Sequence, residues 1–150
     1  MYQNKQLHAV RTTALLFFCL LAYIPFYGQN NSPGCNISAL PSIQFRSNSA
    51  KLLPVAQALL KSVASELKAN PACKVKVNGY GDASKHGQQL SWDHVNSVVK
   101  YLVEDLGIAS DRCIFSYGAS GDPNTADLLP TVESGPNMVP APLPNYRTNK

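Results

Sequence analysis

The stretch Val75-Lys76-Val77-Asn78-Gly79-Tyr80-Gly81-Asp82 limits what this 150-residue chain can fold into more than any other. Val75 and Val77 alternate with Lys74, Lys76 and Asn78, the period-2 signature of a strand with one buried face. Gly79 and Gly81 then allow a sharp turn or the close approach of another backbone or a ligand, because no Cβ stands in the way. Asp82 follows where strand gives way to loop, the kind of carboxyl end at which α/β sheets gather binding groups. A bland reading stands beside this one, in which the turn is ordinary and Asp82 caps its own backbone.

The flanking segments alternate in period. Ser42–Arg46 reads as a first strand closed by the turn formers Ser47-Asn48-Ser49. Pro54 suits the first turn of a helix, and Val55, Leu59, Val63 and Leu67 form a stripe widened by Ala56, Leu60 and Ala64. Asn70-Pro71 ends that helix. A second helix is expected from about Gln88 to Leu106, with Leu90, Val95, Val98, Val99, Leu102 and Val103 on its apolar face, Ser91 near its N-cap and Gly107 as its stop. Cys113–Tyr117 reads as a third strand. The order strand-helix-strand-helix-strand predicts an α/β sandwich, β-α-β-α-β, with two helices packed on a mixed sheet. At least ten aliphatic side chains lie on the helix faces, and at roughly 1.5–3 kcal/mol each when fully buried they sustain one core. Residues 125–150 are proline-rich, a poor helix and a poor central strand, leaving open whether this tail supplies a last strand.

Residues 1–28 read as a secretory signal peptide: Lys5 and Arg11 precede the apolar run Ala14–Ile24, which is too short to span a bilayer. Residues 29–38 form a polar, flexible lead-in. The formal charge of +4 falls to +2 without Lys5 and Arg11, which gives no argument for nucleic acid or an anionic membrane surface. Export makes a disulfide plausible among Cys35, Cys73 and Cys113. Cys73 and Cys113 each precede a strand-like run and would fall within bonding range if those strands are parallel neighbours; two buried thiols are the alternative.

Asp82, His86, Ser91 and His94 lie close together and invite a hydrolase reading, but Ser91 lacks a nucleophile-elbow setting. His86 and His94 with Asp82 do not follow a metal-ligand spacing, and solvent-facing histidines at a cleft edge are the expectation. Neither a metal nor a cofactor is expected. Trp92 is read as packing against the Asp82 loop, and Pro140-Ala141-Pro142-Leu143-Pro144 as a draped or partner-binding extended segment.

Four stretches resemble one known family. They are Phe45–Leu52, the Gly79-Tyr80-Gly81-Asp82 loop, Leu90-Ser91 with Val98 and Tyr101-Leu102, and Ser116-Tyr117-Gly118. In that order and spacing they are similar to the OmpA-like, peptidoglycan-associating domain, over roughly residues 40 to 123, with domain limits set at 39–124. The resemblance implies a non-enzymatic module of the periplasm or outer-membrane periphery, touching membrane only by association. Its ligand would be the diaminopimelate-containing peptide stem of peptidoglycan, at a site of Asp82, His94, Gly81, Tyr80, Ser91 and Leu90. Asp82 falls on the family carboxylate that pairs with the diaminopimelate ammonium. His94 falls where the family has an Arg that grips a ligand carboxylate, and a histidine cannot offer that always-charged, two-pronged grip. Gly87 stands in place of a usual Asn, and Tyr146-Arg147 is the nearest counterpart of the family's last-strand arginines. The alternative reading keeps the scaffold, weakens or loses the ligand through His94, and makes the domain an interaction module for other envelope proteins.

Overall fold

A computed structural model of the protein describes residues 34–144. The expected signal peptide and Tyr146-Arg147 lie outside the described residues. The elements are β1 (Ile43–Gln44), α1 (Pro54–Ala69), β2 (Lys74–Tyr80), α2 (Lys85–Lys100), β3 (Cys113–Ala119) and β4 (Thr125–Thr131). The sheet order is β1-β4-β2-β3, with β2 parallel to β3 and antiparallel to β4. Two helices pack on this four-stranded mixed sheet, as the alternating pattern predicts. Leu60, Val63 and Leu67 of α1 meet Val95 and Val98 of α2 over Val75, Val77, Phe115 and Leu128 in one core.

The α1 bounds match the Pro54 and Asn70-Pro71 signals, and the expected stripe is buried except at Val55 and Leu59. Ala56, Leu60, Val63, Ala64 and Leu67 are buried, while Val55 is 64% exposed. The start of α2 also differs from the sequence reading. Ser84, not Ser91, is the N-cap, its hydroxyl accepting from the Gly87 N–H (3.0 Å). A cap must stand before the first turn, and Ser91 lies two turns inside. At the other end α2 widens into a π-helical turn, Tyr101–Asp105, and Gly107 closes it at φ +68°, the left-handed conformation that a glycine takes without strain.

The proline-rich tail, expected to make a poor central strand, supplies β4, which sits between β1 and β2 and carries the sheet past residue 124 to Thr131. Pro130 is tolerated because β1 pairs only with Thr125 and Ala126. That flank of β4 is therefore open at Pro130, where a missing N–H costs no ladder bond on that side. Beyond β4 the chain runs as a strap along β3 and α2. Pro136 O accepts from Phe115 N (2.7 Å), Val139 O from Trp92 Nε1 (2.8 Å), and Leu143 N donates to Gln89 Oε1 (2.9 Å). Trp92 thus packs on Phe115 (ring centroids 5.7 Å apart) and the strap.

The cysteine pairing is corrected. Cys73 is bonded to Cys35, at a Cα separation of 4.5 Å, and Cys113 is a buried free thiol that desolvation pushes up to about 11. β2 and β3 are parallel neighbours, yet their register sets Val75 opposite Cys113. Cys73 is two residues short of that pair, an offset of roughly 6.6 Å along the strand on top of a strand spacing of about 4.8 Å, which together exceed disulfide reach.

Candidate functional site

Gly79 and Gly81 serve close packing rather than reversed turns, since neither has a positive φ. A Cβ at Gly79 would lie 2.7 Å from Ser91 O, and one at Gly81 would lie 2.5 Å from Gly87 O. Their bare backbones let α2 settle onto the end of β2. Gly81 N also bonds Ala119 O (2.9 Å), which closes the strand pair just before Asp82.

Asp82 therefore emerges beside the N-terminus of α2, where free N–H groups and the helix dipole favour an anion. Its Oδ1 accepts from Ser84 N (2.9 Å) and from the Ser84 hydroxyl (2.5 Å), while its main-chain oxygen accepts from Gln88 Nε2 (2.5 Å). The Ser84 hydroxyl holds the carboxyl below the usual carboxylate range, with the Ser84 N–H adding to the effect. Asp82 is thus an exposed, ionised carboxylate with one oxygen fixed by the loop.

It opens into a cleft of about 390 Å³. Ser47 and Asn48 of the β1–α1 turn form one wall, and His86, Gly87 and Leu90 of α2 another. The β3–β4 loop closes it with Ser120, Gly121, Pro123 and Asn124. Asn48 adopts φ 54°, and its Oδ1 accepts from His86 Nε2 (3.0 Å), so the two walls are tied across the mouth. Of the residues singled out from sequence, Asp82, Gly81 and Leu90 line the cleft.

Tyr80, Ser91 and His94 do not. Tyr80 belongs to the other face of β2: its hydroxyl donates to Asp127 Oδ2, which raises the phenol, and Ser42 Oγ donates to the other Asp127 oxygen. Ser91 is buried, its Oγ accepting from Gly118 N (2.9 Å). Asn48 carried a sequence signal only as a turn former, while His86 lines the cleft as the expectation of a histidine at a cleft edge has it. The Ser120–Asn124 loop carried none beyond its Gly and Pro.

His94, expected at a cleft edge, is fully buried. Its ring stacks on Phe45 (centroids 4.0 Å apart, 9° between planes) and Nε2 donates to Ser49 O (3.1 Å). A carbonyl can only accept, so the proton sits on Nε2, and Nδ1 has no partner among the described residues. Burial lowers its pKa. The sign for stability follows: between the lowered folded value and the ordinary 6.5 only the unfolded chain binds this proton. The His94 contribution is intact above pH 6.5 and lost on acidification, at up to about 1.4 kcal/mol per pH unit. Urea unfolding at pH 7.5, 6 and 5 should give falling midpoints, and the fall should be smaller in His94→Gln.

The model of the OmpA family matches residues 44–134. The chain belongs to the OmpA family. An OmpA-like domain of FopA1 from Francisella tularensis subsp. tularensis SCHU S4 is similar in structure (TM-score 0.51, 19% identity, 60% of this chain and 70% of that one). So is the peptidoglycan-associated lipoprotein of Burkholderia pseudomallei (TM-score 0.51, 21% identity, 69% and 98%). The periplasmic domain of Helicobacter pylori MotB is a third (TM-score 0.50, 14% identity, 61% and 71%). At these identities the OmpA likeness is one of fold. No curated protein matches the chain.

Proposed function

We propose that this OmpA-family domain is a non-enzymatic, peptidoglycan-binding module of the cell envelope, exported by the signal peptide read at residues 1–28. The observation that carries the reading is Asp82: an ionised, loop-fixed carboxylate at the floor of a cleft, on the position where the family pairs a carboxylate with the diaminopimelate ammonium. Gly81 and Leu90 shape the cleft beside it. The name of the Burkholderia pseudomallei relative, a peptidoglycan-associated lipoprotein, agrees with this reading.

The burial of His94 favours a second reading, in which the scaffold has lost its grip on the wall and serves other envelope proteins. One experiment separates the two. The protein is co-sedimented with purified diaminopimelate-type peptidoglycan, alongside Asp82→Asn, an uncharged variant of similar shape. Under the first reading the parent pellets and the variant loses at least tenfold in apparent affinity, about 1.4 kcal/mol. A folded parent that stays in the supernatant with diaminopimelate-type, amidated and lysine-type peptidoglycan alike removes the first reading and leaves the second.

A further inference from the structure

The cleft around Asp82 has an unusual balance of charge. Besides Asp82 and His86, the polar residues that line it are Ser47, Asn48, Ser120 and Asn124, whose side chains are uncharged hydroxyls and carboxamides. His86 is already engaged with Asn48 Oδ1. Among the described residues that line the cleft none is Lys or Arg. The α2 position from which a cation would be expected, His94, faces Phe45 and Ser49 O in the core, and burial keeps its ring from charging. Arg46 and Lys85 adjoin lining residues in sequence, but both are exposed and neither lines the cleft.

These groups answer different parts of a ligand. Asp82, with Oδ1 occupied by Ser84, offers its other oxygen to a primary ammonium. Whatever flanks that ammonium meets hydroxyls and carboxamides, which pair with another carboxamide or with nothing charged at all. A carboxylate carried next to the ammonium would lie near the Asp82 charge with no Lys or Arg among the described lining residues to offset the repulsion or replace its lost water.

We infer that the Asp82 cleft selects a primary ammonium in a charge-neutral setting: a peptide stem whose third residue is a carboxamide form of diaminopimelate, or lysine, in preference to free-acid diaminopimelate. This rests on the peptidoglycan reading above and narrows it to one class of stem.

Calorimetric titration of the purified protein with three soluble stem tetrapeptides tests the assignment. They carry free-acid diaminopimelate, its side-chain carboxamide, or lysine at the third position. A fourth peptide, the lysine form acetylated on its side-chain amine, removes the ammonium, all four peptides being N-acetylated at their first residue so that no other amine remains. The expected result is that carboxamide and lysine peptides bind at least tenfold more tightly than the free acid. Binding should vanish with the acetylated peptide and in Asp82→Asn. Free-acid binding as tight as the carboxamide, above all if Arg46→Ala removes it, overturns the selectivity while leaving the peptidoglycan reading in place. Binding of the acetylated peptide as tightly as the lysine form overturns the role of the ammonium. If none of the four peptides binds, the peptidoglycan reading falls and takes the inference with it.

Discussion

Arg112→Ala is expected to lower the melting temperature by more than any other single surface-reaching substitution in the chain. The guanidinium is half-buried and holds three main-chain carbonyls at once: Nε donates to Cys73 O (2.9 Å), and Nη2 to Leu67 O (2.7 Å), Asn70 O (2.9 Å) and again Cys73 O (2.5 Å). Leu67 and Asn70 lie at the carboxyl end of α1, where the last carbonyls lack helical partners and the dipole favours a cation. Cys73 is the residue bonded to Cys35, so the same side chain joins the helix end, the entry to β2 and the disulfide. Truncation removes these charge-assisted bonds, each worth roughly 1.5–3 kcal/mol, although Leu67 O and Asn70 O keep the main-chain donors Asn70 N (3.2 Å) and Cys73 N (3.0 Å). With partial rehydration the net loss should be about 3 kcal/mol, a fall in melting temperature of roughly 12–24 °C for a domain of this size. Arg112→Lys should recover less than half, because an ammonium has no planar fork to span several acceptors. Calorimetric melting of the three proteins under oxidising conditions checks this; a fall below 4 °C for Arg112→Ala would show that the network contributes little.

How much of this was legible beforehand depends on how local each cause is. The two helices, the β2 alternation and the Gly107 stop follow from period and from single-residue conformational preference, and they stand where the sequence sets them except at the start of α2, which begins at Lys85. The start of α1 shows the limit: Val55 and Ala56 both stood on the expected stripe, and only packing against the sheet decides that Ala56 goes in while Val55 stays out. β4 was obscured by Pro130, because composition does not reveal that β1 leaves that flank uncovered. Cys73 was paired with the wrong partner for a similar reason. The condition of parallel neighbours is met, but a disulfide needs the register as well, and two residues of offset are enough to forbid it. At the site, Asp82 and Gly81 were legible from the loop motif and Leu90 from the helix stretch that begins Leu90-Ser91. Tyr80 was lost to the alternation of the strand itself, which sends a residue after a buried glycine to the opposite face. His94 was misread as exposed because a single histidine on a helix gives no sign of the Phe45 ring waiting for it. The Ser120–Asn124 wall comes from a distant loop and could be placed only by the fold.

Two glycine substitutions should separate the scaffold from the site. Gly79→Ala is expected to destabilise the domain by about 3 kcal/mol, at the upper end for overpacking a well-filled core. The new methyl would meet Val95 Cγ2 at 2.6 Å and Ser91 O at 2.7 Å, and the second of these is backbone, so α2 must lift from β2. Replacing glycine also restricts the unfolded chain, a gain of about 0.4–1 kcal/mol that is too small to offset the clash. Gly87→Ala behaves differently. Its methyl would sit 2.1 Å from Asp82 Oδ1 and 3.0 Å from Asp82 N. The severe contact is with the end of an exposed side chain, which can rotate away at the expense of its Ser84 hydrogen bonds. Alanine is also the better helix former by about 1 kcal/mol, so the net change in stability should stay within roughly 1 kcal/mol. The carboxylate, however, leaves the position that Ser84 holds it in, and peptidoglycan co-sedimentation should weaken at least tenfold. Urea denaturation and co-sedimentation of both variants give the comparison. A Gly87→Ala protein that is stable and still pellets like the parent would mean that the fixed orientation of Asp82 is not what the cleft uses. A Gly79→Ala protein as stable as the parent would mean that the close seat of α2 on β2 is softer than its contacts imply.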